Sequence, residues 1–270
     1  MPLIGARAHD FSGKDPEELF SAISGAGYEA IQLACPKSFS WAYPLDEKQT
    51  EQILAAKEKH HITLSVLGCY VSCADQDRES RLQAVETFRR GIRTAKALGA
   101  GCVGTETCHF EGTEKEHEKA FELLVDSCLR MAEEAEKYDV DMGIEPVFQN
   151  TLDSPELALE LRRRVGSRHL RFIWDAVNLL DSALDRDEAA FQKHCADLMG
   201  DNIVAMHIKG VRFKADRMKR ACPLIEGEYD WRYPFQWAKE QKNMALLREE
   251  AIPARAEEEI RIMRGLLNER

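Results

Sequence analysis

Four ionisable side chains stand at the ends of short apolar runs in the second half of the chain. Residues 141–144 close on Glu145, 170–174 on Asp175, 203–206 on His207, and 244–248 on Glu249. An ionised carboxylate at the tip of an apolar strand is costly to desolvate without a partner. Pro146 marks the first of these ends, because proline cannot extend the interior of a sheet. Three carboxylates and one imidazole make a donor set for a divalent cation that accepts oxygen ligands. Mn²⁺ is favoured, with Mg²⁺, Co²⁺ or Zn²⁺ as alternatives. Each residue alone has an ordinary role open to it: a loop cap for Glu145, an acceptor of backbone amides for Asp175, a satisfied core position for His207. Their recurrence at the same place in successive units points to a shared centre. At the fourth tip Glu249 and Glu250 are adjacent, and strand alternation turns only one inward. Glu249 comes first after the apolar run and is the expected one.

The elements that must position these tips alternate along the whole chain. Strands are expected over 4–9, 28–33, 62–67, 102–106, 141–145, 170–175, 203–207 and 244–248. Helices are expected from Lys14, where Pro16, Glu17 and Glu18 supply first-turn chemistry, and then over 46–59, 79–98, 113–138, 154–165, 187–199, 233–239 and 256–268. Leu19, Phe20 and Ile23 form the buried stripe of the first helix. Phe121, Leu124, Leu129 and Met131 are expected to face inward from the longest. The stretch 209–230 reads as a long loop, basic at its start. Alternating strands and helices imply a parallel sheet. Eight such units in 270 residues imply a closed α/β barrel, a (β/α)8 TIM barrel, forming a single domain over 1–270. A doubly wound sheet would carry a glycine-rich phosphate loop after its first strand, whereas Gly25 and Gly27 precede the second.

In a closed parallel barrel all C-terminal strand ends gather at one mouth, where the chemistry of this fold sits. His9, Tyr70 and Glu106, at the ends of the first, third and fourth strands, are candidates to line a polyol pocket there, and His109 lies just beyond the fourth. Trp41 and Phe148 are candidates to shield it from water. Lys209 and Arg212, after the seventh strand, could hold a phosphate or carboxylate, arginine offering a planar fork.

Composition excludes several classes. A formal charge of −10 argues against a sequence-independent grip on nucleic acid. No apolar run is long enough to span a bilayer, and the first residues lack the pattern of a signal peptide, so a cytoplasmic protein is expected. None of the 8 cysteines forms a C-x-x-C pair, and reduced thiols are expected rather than a disulfide framework or structural zinc.

The set Ile144-Glu145-Pro146, Trp174-Asp175-Ala176-Val177-Asn178, His207-Ile208-Lys209 and Leu247-Arg248-Glu249 resembles the xylose isomerase-like TIM-barrel superfamily. Within it, the chain is most similar to the sugar-phosphate isomerase/epimerase group that includes ketose 3-epimerases and hydroxypyruvate-isomerase-like proteins. The resemblance covers nearly the whole chain, including Gly27-Tyr28-Glu29-Ala30-Ile31 and Glu226-Gly227-Glu228-Tyr229-Asp230-Trp231. It implies a metal held by Glu145, Asp175, His207 and Glu249, polarising a substrate carbonyl and stabilising an enediolate. It further implies that Glu145 and Glu249 act as base and acid, or the reverse, from opposite faces of a small sugar. The group's frequent glutamate at the second strand is Gln32 here, able to hydrogen-bond substrate but not to act as a base. Its D-x-x-H motif ends instead on Asn178, and the acid after His-x-Lys is Gly210. These departures speak against the apurinic-site endonucleases of the same fold, which need further histidines. Relatives are often dimers or tetramers, so a homo-oligomer is expected. The resemblance leaves open a keto-inositol-type dehydratase on the same barrel, or a barrel that only binds sugar.

Overall fold

Helix starts are written into the sequence as side chains that satisfy otherwise orphaned amides. The computed structural model describes residues 1–181, 187–214 and 219–269. Asp15 accepts from the amide of Glu18 to open α1 (Pro16–Gly25), with proline in the first turn. Asp46 with Gln49 and Thr113 with Glu116 form reciprocal capping boxes at the heads of α3 (Glu47–Lys59) and α5 (Glu114–Tyr138). Ser154 caps α6 (Pro155–Val165). The long α4 (Arg78–Leu98) stops at Gly99, whose φ of 62° suits a residue without a side chain.

Between these helices, strands β1 (Leu3–Arg7), β2 (Ala30–Leu33), β3 (Thr63–Gly68), β4 (Cys102–Glu106), β5 (Asp141–Glu145), β6 (Leu170–Asp175), β7 (Ile203–Ile208) and β10 (Ala245–Arg248) are all parallel. They close in the order β1-β10-β7-β6-β5-β4-β3-β2. This is a (β/α)8 TIM barrel, completed by α8 (Glu188–Met199), α9 (Arg232–Lys239) and α10 (Ala256–Asn268). Most of the core lies between the sheet and the helices, while a second, separate cluster fills the lumen: Ala30, Val66, Cys102, Ile173, Ala205, Ala245 and Leu247. Period-2 alternation then carries the chain from this apolar layer to the strand tips. Ala30 leads to Gln32, Ile173 to Asp175, Ala205 to His207, and Leu247 to Glu249. Gly104 and Gly143 hold the same place below Glu106 and Glu145. A Cβ at Gly104 would come within 2.8 Å of the Ile173 side chain, and one at Gly143 within 2.9 Å, so Ile173 occupies the room that both glycines leave.

Several expectations needed correction. The first strand stops at Arg7, and Ala8–Asp10 forms a 3-10 turn that includes His9. The second strand begins at Ala30, two residues after Tyr28, whose ring packs edge-on against Phe11. Leu129 is 44% exposed, because it lies about 100° around the helix from Cys128 on the buried stripe. The stretch 209–230 is not a plain loop. It holds an antiparallel pair, β8 (Val211–Phe213) with β9 (Lys219–Ala221), and a 3-10 turn at Leu224–Glu226. Two one-turn helices, α2 (Cys35–Ser38) and α7 (Ala176–Leu179), follow β2 and β6. All eight cysteines are free, six of them buried. No described helix is long and apolar enough to cross a membrane.

Candidate metal centre

Strands β5, β6, β7 and β10 are consecutive neighbours in the barrel, so their tips meet at one mouth. Donor atoms of Glu145, Asp175 and His207 all lie within 4.8 Å of one another, and all three residues are buried. Glu249 stands outside that closest set but beside it, with Oε1 3.4 Å from His207 Nδ1. Glu250 is exposed at a φ of 55°, where the chain turns away.

Each member is oriented by neighbours. Asp175 caps α7, its Oδ1 accepting from the amides of Val177 at 2.9 Å and Asn178 at 2.7 Å. That turn brings the Asn178 Nδ2 to donate to Glu145 Oε1 at 2.9 Å. The Lys209 ammonium is buried among Asp175 Oδ2, Glu249 Oε2 and the Asn178 Oδ1, each at 2.9 Å. Arg7 approaches Glu249 to 3.7 Å while donating to Asp10. His207 Nε2 meets Gln32 Oε1 at 2.6 Å, and Gln32 Nε2 donates to the Tyr70 hydroxyl at 2.6 Å.

Two buried atoms at the centre keep unused capacity. His207 Nδ1 lies 3.0 Å from Glu145 Oε2, and Asp175 Oδ2 lies within ion-pair distance of Lys209, yet neither makes an aligned hydrogen bond. Lone pairs left this way in a dry, acidic setting suit a cation ligated by one nitrogen and several oxygens. The donor set therefore fits a divalent metal.

The electrostatics follow from the same packing. Burial pushes the His207 imidazole down, but Glu249 and Glu145 outweigh it and hold the pKa at about 9. Burial opposes ionisation of Glu249, and His207, Lys209 and Arg7 overcome it, holding that carboxyl far below the usual range. Glu106, in register with Glu145 on the neighbouring strand, is raised to about 7 by burial and by Glu145 and Glu249. His9 is lowered to about 4 by burial, then by Arg7 and Lys37.

The other expected site residues divide. Gln32, Tyr70, Glu106, Asn178 and Lys209 lie at or beside the cluster. Lys209 and Arg212 do not form a vacant anion clamp, because each is engaged by protein carboxylates: Arg212, on β8, donates to Glu226 Oε2 at 2.9 Å. His109 is exposed and turned to Glu111 at 3.2 Å, away from the carboxylates. Trp41 stacks on Phe39, and Phe148 is 39% exposed. Sequence reasoning passed over Arg7, although alternation from Gly5 places it at the tip of β1. It also passed over Lys37, whose Nζ sits 3.8 Å from the centroid of the Tyr70 ring.

The chain is similar in fold to the 3-keto-D-glucoside 4-epimerase YcjR of E. coli in its apo form. That match is 14% identical with a TM-score of 0.78, over 98% of this chain and 100% of that one. It is also similar to the IolI protein in a structure binding a zinc atom (19% identical, TM-score 0.74, 98% and 96% covered). A third likeness is to the probable 3-DHS dehydratase AsbF of Bacillus anthracis (14% identical, TM-score 0.75, 100% of each chain). No curated protein sequence matches the chain. The family model described as xylose isomerase-like TIM barrel matches residues 20–266, and the chain belongs to that family.

Proposed function

We propose that the protein is a divalent-metal-dependent sugar isomerase or epimerase that moves a proton at the carbon beside a carbonyl. The observation that carries this reading is the close approach of buried Glu145, Asp175 and His207, whose donor atoms all lie within 4.8 Å of one another. Glu145, Asp175, His207 and Glu249 would hold the ion, Mn²⁺ by preference, and the ion would supply Lewis acidity toward a substrate carbonyl. Glu145 and Glu249, on strands separated by two others, can face a small substrate from different sides, which inversion at carbon requires. Lys209, whose three N–H groups are taken by Asp175, Glu249 and Asn178, adds fixed positive charge beside the place where negative charge develops on a substrate oxygen. His9, Tyr70 and Glu106 supply hydrogen-bonding groups for hydroxyls around the same mouth. The eight free cysteines suit a reducing compartment such as the cytoplasm.

A lyase is the second reading. Loss of a β-hydroxyl begins with the same proton removal, and the probable dehydratase shares the fold. One experiment separates the two. Metal analysis of the purified protein is expected to give a stoichiometric divalent ion. A ketose and aldose panel followed by NMR in D₂O is expected to show deuterium entering beside the carbonyl, and Glu145→Gln to abolish it. A deoxy or unsaturated product assigns the lyase. Full turnover after exhaustive chelation, or no exchange from any sugar, overturns the proposal.

A further inference from the structure

We infer that Gln32 is a positioning residue that selects which nitrogen of His207 faces the cation. The inference rests on the metal reading above. Gln32 is 2% exposed at the end of β2, and His207 is 1% exposed on β7. The two strands are not neighbours, since β1 and β10 lie between them, so the 2.6 Å contact reaches across the mouth. His207 Nε2 carries its hydrogen toward the Gln32 amide oxygen. The amide's own N–H group donates to the Tyr70 hydroxyl at 2.6 Å, leaving the amide oxygen toward the ring. The ring is thereby held with Nδ1 toward Glu145 and Glu249, at 3.0 and 3.4 Å, so Nδ1 is the nitrogen that faces the ion. With the amide reversed, the ring hydrogen would sit on Nδ1. A hydrogen held there would face Glu145 Oε2 at 3.0 Å and stand between the ring and the ion.

An amide serves this purpose without adding charge. Glu106, Glu145, Asp175 and Glu249 already surround the mouth, where Arg7 and Lys209 are the cations that Glu249 meets. A neutral acceptor orients the ring while leaving that balance untouched. Partners behind a metal-bound histidine typically change metal affinity by about 10- to 100-fold.

The test compares wild type, Gln32→Leu and Gln32→Glu. Free Mn²⁺ is counted by EPR during titration, and Tm is followed as a check on folding. Gln32→Leu is expected to bind Mn²⁺ about 10- to 100-fold more weakly, and Gln32→Glu, which keeps an acceptor, to recover most of that loss. Wild-type binding unchanged in Gln32→Leu, or no recovery in Gln32→Glu, overturns the inference alone. Wild type that takes up neither Mn²⁺ nor Zn²⁺ overturns the metal reading and this inference with it. Should Gln32→Leu fail to fold, ¹⁵N NMR of the zinc-loaded wild type decides. A hydrogen on His207 Nε2 with zinc at Nδ1 is expected, and the reverse assignment overturns the inference.

Discussion

Arg248 and Glu249 are neighbours in the chain, yet they belong to two different kinds of buried charge. On the outer face of β10 the Arg248 guanidinium donates to both oxygens of Glu259, at 3.0 and 2.9 Å. It also donates to the carbonyls of Ile208, Glu249 and Cys222. Glu259 in turn accepts from the amide of Leu224. One positive group meets one negative group and the surrounding polar atoms are engaged. On the inner face, Glu249 joins Glu106, Glu145 and Asp175, with Lys209 and Arg7 opposing them, and carboxylates outnumber the cations that meet them. The contrast separates a scaffold contact, which closes on itself, from a site, which retains capacity for something else. Capacity kept in this way lowers stability, and such trade-offs are expected where activity needs them.

Breaking the closed pair gives the largest expected effect. Arg248→Met strands Glu259 in the core and is expected to destabilise the fold by about 3–5 kcal/mol in urea unfolding. Arg248→Met with Glu259→Leu should be less harmful than the sum of the single changes, because neither charge is then left alone. If the double variant is as unstable as the sum, the pair is not a closed unit.

The open cluster predicts a pH response. Without metal, the folded pKa of His207 is about 9, above the ordinary imidazole value of 6.5. The imidazolium therefore contributes stability that is full below pH 6.5 and is lost as the pH rises through 9. On the proposed function a metal at His207 would have to displace that proton, so apparent Mn²⁺ affinity should climb about tenfold per pH unit up to about pH 9, then level off. Calorimetric titration at several pH values checks this, and a flat profile would remove His207 from the ligand set.

The smallest effect concerns Glu106. Its folded pKa of about 7 exceeds the ordinary carboxyl value of 4.5, so the folded state holds its proton more firmly and stability declines from pH 4.5 to 7. Glu106→Gln should raise the Tm of the metal-free protein at pH 8 by a few degrees and leave it unchanged near pH 4. A variant destabilised at pH 8 would place Glu106 with the scaffold instead.

The barrel was legible because local chemistry repeats: a capped helix, a stop, then an apolar run with a polar tip. Glu145, Asp175, His207 and Glu249 could be picked out because each ends such a run, and barrel closure brings them to one mouth. Alternation allowed only one of Glu249 and Glu250 to face inward, Glu249 was preferred as the first after the apolar run, and the chain turns at Glu250 with a φ of 55°. Contacts between remote strands were not legible in the same way. His207 and Gln32 are separated by 175 residues, and no local pattern announces their pairing. The β8–β9 pair escaped notice because its strands have three residues each, too few for alternation to register. Leu129 misled because apolar type alone does not fix a helix face.

Ile173 has a consequence for traffic through the protein. By packing under Glu106 and Glu145 where Gly104 and Gly143 provide no side chain, it plugs the channel from beneath and sets how deep any visitor can descend. Among the described residues, this apolar layer closes the barrel beneath the carboxylates. A bulkier group at 104 or 143 would reshape that layer without touching one of the polar residues above it.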